Sequence, residues 1–166
     1  MPMSSFTPSP DHAGAFRQAL GQFATGVTVV TAASDTGPIA MTVNSFTSVS
    51  LDPPLILWCP AHVSERHDAF VKASHFAIHV LKEGQTDLAR HFATNGADFS
   101  PVDLIHGAHD VPVFEDCLAR FDCATHTVHP GGDHSILVGE VLRVTLEPGA
   151  PLAFQAGHFG RFTQTS

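Results

Sequence analysis

The 166-residue chain has no tyrosine, one tryptophan, and only eight lysine and arginine residues against sixteen acidic ones. Its basic residues are scattered and its net charge is −8. That excludes a broad polyanion-binding face, because nucleic-acid binders cluster Lys and Arg along one surface. A small anion needs much less: one Arg, some hydroxyls and backbone N–H groups hold it locally. Cysteine is sparse too. Cys59, Cys117 and Cys123 are odd in number and form no CxxC pair, which fits free thiols in a reducing compartment rather than a disulfide framework. No apolar run approaches the roughly 18 residues of a membrane span. The opening MPMSSFTPSPDH lacks the basic and apolar regions of a signal peptide, so the cytoplasm is the expected location. Twelve histidines invite a metal, yet His62/His67, His75/His79, His106/His109 and His126/His129 match no HExxH or Cys/His signature, and no metal site is expected.

What the chain has is apolar residues: 43% are hydrophobic and 14% charged, with a mean hydropathy of +0.11. So little charge leaves an apolar surface that self-association would hide, so a homodimer or larger oligomer is expected. The length suits one domain, taken as residues 13–166 after a disordered lead-in over 1–12 rich in Pro, Ser and Thr. Asp11 is placed to cap a helix over 12–23, with Phe16, Ala19, Leu20 and Phe23 on one face and Gly26 ending it. β-Branched residues over 27–31 predict a strand, paired across the turn 35–38 with a second strand over 39–50. Further strands are expected over 55–59, 75–81, 117–128 and 135–146, with helices over 65–73 and 86–93 and an irregular loop over 94–113. Strands joined mostly by turns argue against a doubly wound parallel sheet and for a mainly antiparallel barrel with a few peripheral short helices.

Two segments carry candidate chemistry from residue type alone. Residues 41–50 read MTVNSFTSVS, and strict alternation puts Thr42, Asn44, Phe46, Ser48 and Ser50 on one face. Small polar groups with an aromatic among them suit a planar heterocycle with hydrogen-bonding edges; they also suit a solvated edge strand. Gly131-Gly132-Asp133-His134 places a histidine on a Gly-rich turn, where it either points into a cleft or stabilises the turn. Cys117 and Cys123 sit in an apolar strand with no local His–Asp pair, so no cysteine nucleophile is expected.

The ordered set FRQALGQFATGVTVVT (16–31), MTVNSFTSVSLDPPL (41–55), FAIHVL (76–81), Gln85 with LARHF (88–92), and Gly132-Asp133-His134 with Gly139-Glu140-Val141 resembles the short-chain flavin reductases of two-component monooxygenases. The likeness runs from about Phe16 to Phe162. It implies an FMN-binding, Greek-key-like split β-barrel that dimerises, binds FMN or FAD, oxidises NADH or NADPH, and passes reduced flavin to a separate oxygenase. By that resemblance Thr42, Val43, Asn44 and Ser45 meet the isoalloxazine ring with Ser48 nearby. The loop from Cys59 through Ser64 and Arg66 reaches the ribityl phosphate, and Phe92 touches the flavin. Val43, Phe46 and Phe92 would wall water out.

His134 is the expected active-site histidine, positioning the nicotinamide. His158 and Phe159 would meet the nicotinamide cofactor and Arg161 its phosphates. Relatives often carry a hydroxyl residue at His67 and Tyr at Phe159, so the roles of both positions stand apart from the pattern. No GxGxxG is present, so the dinucleotide would bind without a Rossmann unit. The alternatives are a non-enzymatic flavin- or haem-binding barrel, and an oxidase of a phosphorylated small molecule, which the few basic residues disfavour.

Overall fold

In the computed structural model, which describes residues 5–165, the β-branched run 28–31 is buried throughout because layers cover both of its faces. The chain forms α1 (Ala13–Leu20), β1 (Thr25–Gly26), β2 (Thr28–Ser34), β3 (Gly37–Val43), β4 (Thr47–Leu51), β5 (Pro54–Trp58), α2 (His67–Lys72), β6 (His75–Val80) and α3 (Thr86–Thr94). It continues with β7 (Ile105–His106), β8 (Pro112–Val113), β9 (Ala119–Gly131), β10 (His134–Leu146), β11 (Leu152–Gln155) and β12 (His158–Arg161). The main sheet has seven antiparallel strands in the order β3-β2-β6-β9-β10-β5-β4, beside a small β1-β11-β12 sheet. Among the described residues no helix is long and apolar enough to cross a membrane.

That strand order has a geometric consequence. β3 and β4 are the two edges of the sheet, yet only residues 44–46 link them. Laid flat, seven strands at about 4.8 Å spacing would part the edges by about 29 Å. The link spans at most about 14 Å. The sheet must therefore roll up until its edges meet, and it does so without hydrogen-bonding β3 to β4: a barrel with an open seam. The fold is thus mainly β and split rather than fully closed.

Rolling separates two cores. Val30 and Ala32 of β2 with Ile39 and Met41 of β3 face the barrel interior, with Ile56, Trp58, Phe70, Phe76, Ile78 and Leu137. The alternate residues Val27, Val29 and Ala40 face outward onto Ala89 and Phe92 of α3, with Leu81, Phe99, Phe114 and Leu152. Period-2 alternation holds, but both faces are apolar because α3 and the loop after it cover the outer one. His79, fully buried on β6, bonds Val29 O at 3.1 Å through Nδ1, accepts the Phe114 N–H at 3.3 Å and stacks on the Phe114 ring.

Several expectations need correction. The strand expected over 39–50 breaks at residues 44–46, and β4 shifts register on β5 between Ser48 and Ser50, so the five-residue polar face does not exist. Asp11 caps nothing: Pro10–His12 form a 3-10 turn leading into α1, and Gly26 lies in β1 rather than ending the helix. The expected inward face of α1 is uncovered, with Leu20 60% and Phe23 80% exposed. α2 starts at His67, two residues later than expected, with Arg66 at its cap. Of the expected disordered lead-in, residues 1–4 lie outside the described residues.

Candidate functional site

The seam is where the sheet leaves room. Thr42, Val43 and Asn44 form the floor of a cleft of about 460 Å³, Ala89, Arg90, Ala93 and Thr94 of α3 one wall, and Phe154 and Phe159 of the C-terminal hairpin the other. Phe159 packs on Phe154 at 5.2 Å and lies under the Arg90 guanidinium at 5.6 Å. The Thr42 hydroxyl donates to Ala89 O at 2.6 Å, which fixes α3 against β3 and sets the width of the cleft. Ser45, in the link between β3 and β4, accepts the Cys59 N–H at 3.0 Å and so ties that link to the end of β5.

Two neighbouring hollows extend this cleft. Thr94 is shared with a polar pocket of about 500 Å³ lined by Ser64, Glu65, Arg66 and residues 95–98. Asn44 and Phe154 are shared with a larger hollow under α1, lined by Arg17, Gln18, Phe23 and Ser45. An apolar slot with a polar edge, opening onto hydroxyls and a cation, fits a flat tricyclic ring with a phosphate-bearing tail.

Arg66 sits deeper than a solvated cation. Its Nη1 donates to Ala40 O at 2.7 Å and Phe92 O at 2.9 Å, and its Nη2 to Ala93 O at 2.9 Å. It thereby ties β3 to the C-terminal carbonyls of α3, where a cation is favoured. Burial pulls its pKa down and Glu65 opposes that shift. Gly96 permits the arrangement: a Cβ there would lie 2.6 Å from Arg66 Cδ and collide with Ala40 O. A guanidinium has five N–H groups, so two remain for an anion in the polar pocket. Ser64 accepts the Arg66 N–H at 3.3 Å.

His134 stands on the tip of the β9–β10 hairpin, with Nδ1 2.7 Å from Asp133 Oδ1 and its side chain 43% exposed. The hydrogen bond to His134 holds the Asp133 carboxyl below the usual range. The tip docks on the loop before α2, where His62 N–H donates to Asp133 O at 2.9 Å. The Ser135 hydroxyl lies 3.2 Å from His62 Nε2 and 2.9 Å from His67 Nε2.

The structure thus brings Thr42, Val43, Asn44, Phe159 and, next door, Ser64 and Arg66 together around one opening. It does not bring all the expected residues there. Phe92 is fully buried and packs on Phe99 and Phe114, so its ring supports α3 from behind and only its carbonyl faces Arg66. Phe46 packs on Phe121 instead of walling the cleft. Ser48 is exposed on β4. Cys59 contributes its backbone N–H, and burial pushes its thiol pKa up. His158 Nδ1 turns back to Ala156 O at 2.9 Å, and Arg161 pairs with Glu83 at 2.8 Å. Sequence reasoning missed Thr94, Gly96, Phe154 and Ser135, which carry no motif and gain meaning only from what folds against them.

The family model described as "Flavin reductase like domain" matches residues 20–163. The FMN reductase (NADH) SmoA of Agrobacterium fabrum is 54% identical over 159 residues, which is 96% of this chain and 91% of that protein. The reductase component of the 4-nitrophenol 4-monooxygenase/4-nitrocatechol 2-monooxygenase of Rhodococcus opacus is 40% identical over 162 residues, 97% of this chain and 87% of that one. Two rhizobial relatives are longer, and the chain spans 42% and 56% of their lengths. The NADH:FAD oxidoreductase SgcE6 of Streptomyces globisporus C-1027, solved in complex with NAD and FAD fragments, superposes with a TM-score of 0.87 at 40% identity over 96% of this chain and 98% of that one. The chain belongs to the flavin reductase-like domain family.

Proposed function

We propose that the chain is a nicotinamide-dependent flavin reductase, taking electrons from NADH or NADPH and delivering reduced FMN or FAD to a separate flavin-dependent oxygenase in the cytoplasm. One observation carries the reading: the open seam forms an apolar slot beside a hydroxyl-and-arginine pocket in a chain of this family. The flavin supplies the acceptor for a hydride from the nicotinamide. The chain's residues do the placement. Thr42, Val43, Asn44 and Ser45 line or close the slot, Phe154 and Phe159 exclude water from it, and Ser64 with the two remaining N–H groups of Arg66 receives the phosphate. His134, on the exposed hairpin tip, meets the nicotinamide, as does Phe159, and His158 would have to turn away from Ala156 O to join them. Arg161 would have to leave Glu83 to reach a dinucleotide phosphate.

A homodimer accompanies this reading. β10 pairs with β5 only at residues 137–140, so the far end of that edge is unpaired. There Val144 and Leu146 share one face, 51% and 77% exposed, next to Leu142, which is 51% exposed at a register shift on β9. An apolar strand end with an open edge is what a second copy would cover.

The test is NADH and NADPH oxidation followed at 340 nm with FMN or FAD, on protein whose mass in solution is measured by sedimentation. Oxidation well above the free-flavin background, by a species of twice the chain mass, is expected. Flavin binding without oxidation would leave a non-enzymatic binding barrel, and a single-chain mass would remove the dimer.

A further inference from the structure

The tip of the β9–β10 hairpin turns through only Gly132 and Asp133, and β9 beyond Ala124 is half-buried or exposed. A two-residue turn on such a projection frays unless something holds it. Two backbone hydrogen bonds do, His62 N–H to Asp133 O at 2.9 Å and Ser135 N–H to Pro60 O at 3.0 Å, which together make an antiparallel bridge between Ala61 and His134. One side chain completes the clasp.

We infer that Ser135, clamped between His62 and His67, is a positioning residue that locks the turn bearing His134 onto the loop bearing Ser64 and Arg66. The Asp68 carboxylate assigns the directions of the Ser135 hydrogen bonds. Asp68 Oδ1, which can only accept, lies 2.8 Å from His67 Nδ1, so in the neutral imidazole the proton is assigned to Nδ1 and Nε2 to the acceptor role. The Ser135 hydroxyl donates to that nitrogen at 2.9 Å, and its oxygen accepts from His62 Nε2 at 3.2 Å. The two imidazoles meet edge to face at 4.8 Å. The order Asp–His–Ser has the form of a nucleophilic triad, but Ser135 is only 7% exposed and its oxygen is occupied by His62, so it holds rather than attacks. His67 is thereby placed: it orients Ser135, and Asp68 orients His67.

The inference rests on the reading that His134 meets the nicotinamide and the loop 59–67 meets the flavin tail. It adds that the two half-sites keep a fixed distance because one hydroxyl reinforces the backbone bonds that join them. Removing that hydroxyl should loosen the nicotinamide side while leaving the flavin side nearly intact. Losing the directed hydrogen bonds should raise the KM for NADH about three- to tenfold, with the flavin Kd changed less than about twofold.

The test uses Ser135→Ala, with His67→Phe as a second route to the same defect and Ser135→Thr as a rescue that keeps the hydroxyl. Long-range ¹H–¹⁵N spectra of the flavin-free protein report the imidazole tautomers. His67 should carry its proton on Nδ1 and His62 on Nε2. Ser135→Ala should move both signals together with those of His134, Ser135→Thr should restore them, and the double variant should be no worse than either single one. Unmoved His134 signals, together with a wild-type NADH KM in Ser135→Ala and His67→Phe, would overturn the lock. His134→Ala separates the two layers. If it leaves the NADH KM unchanged, the reading of His134 fails while the spectra still decide the lock; if it raises KM and Ser135→Ala does not, the lock fails alone.

Discussion

On the α3 flank of the cleft the polar groups are largely used inside the protein. Thr42 is bonded to Ala89 O, Arg66 holds three carbonyls, and Gly96 leaves just enough room for that guanidinium. On the two hairpins polar groups face outward instead: the His134 side chain at the β9–β10 tip is 43% exposed, and His158 on the C-terminal hairpin is exposed. The first group sets the shape of the slot, and the second is the one that the proposed function assigns to contact with the nicotinamide. A residue can therefore line the site and still act chiefly on stability, and the two kinds of line-up residue should separate in experiment.

The largest effect is expected at Arg66. Arg66→Ala removes a partly buried cation bonded to three carbonyls and should lower stability by about 2–4 kcal/mol in urea denaturation without flavin. Arg66→Lys should recover little, since an ammonium cannot reproduce the planar fork. A change in flavin affinity with unaltered stability would show that the three carbonyl bonds contribute little and that Arg66 acts through its two remaining N–H groups alone.

The second prediction probes what lies behind the packed flank. Burial pushes the His79 pKa down from its ordinary 6.5 to about 3, and His79 backs Phe114, which stacks on Phe92. Between those values the unfolded chain binds a proton that the folded chain refuses. Stability should therefore be full above pH 6.5 and fall as the pH drops towards 3, with this group contributing a slope of up to about 1.4 kcal/mol per pH unit. Denaturation midpoints at pH 7, 6 and 5 would measure it, and His79→Gln should flatten the slope while lowering stability at pH 7.

The smallest effect on stability is expected at Phe159. Phe159→Ala trims a half-buried ring and should cost about 1 kcal/mol or less, yet weaken flavin binding about tenfold in a fluorescence-quenching titration. An unchanged Kd would remove the C-terminal hairpin from the flavin wall.

Much of the fold was legible because it rests on local signals. The β-branched run 27–31, the apolar strand 75–81, the helix with Ala89 and Phe92 inward and the long final hairpin all formed within a few residues of expectation. What failed was whatever depended on the neighbour across space. MTVNSFTSVS has strand composition throughout, and nothing local says that rolling the sheet forces a break at 44–46. Phe92 and Phe46 have the residue type of a ligand wall but are claimed by Phe114 and Phe121. Arg66 reads as a free cation in sequence because its carbonyl partners lie 26 and 27 residues away. Ser135 carried no signal, and His67 stood out only as a departure from the family pattern, until the hairpin tip met the loop.

The three residues 44–46 that carry the chain from one edge of the rolled sheet to the other also act as a gauge. Their span sets how far the barrel's lips can part, so the thickness of molecule admitted there is written in a loop length as much as in any side chain. A single added residue in that link would widen the mouth while leaving every strand's sequence untouched, whereas the same insertion in the hairpin between β2 and β3 would alter only a distant rim.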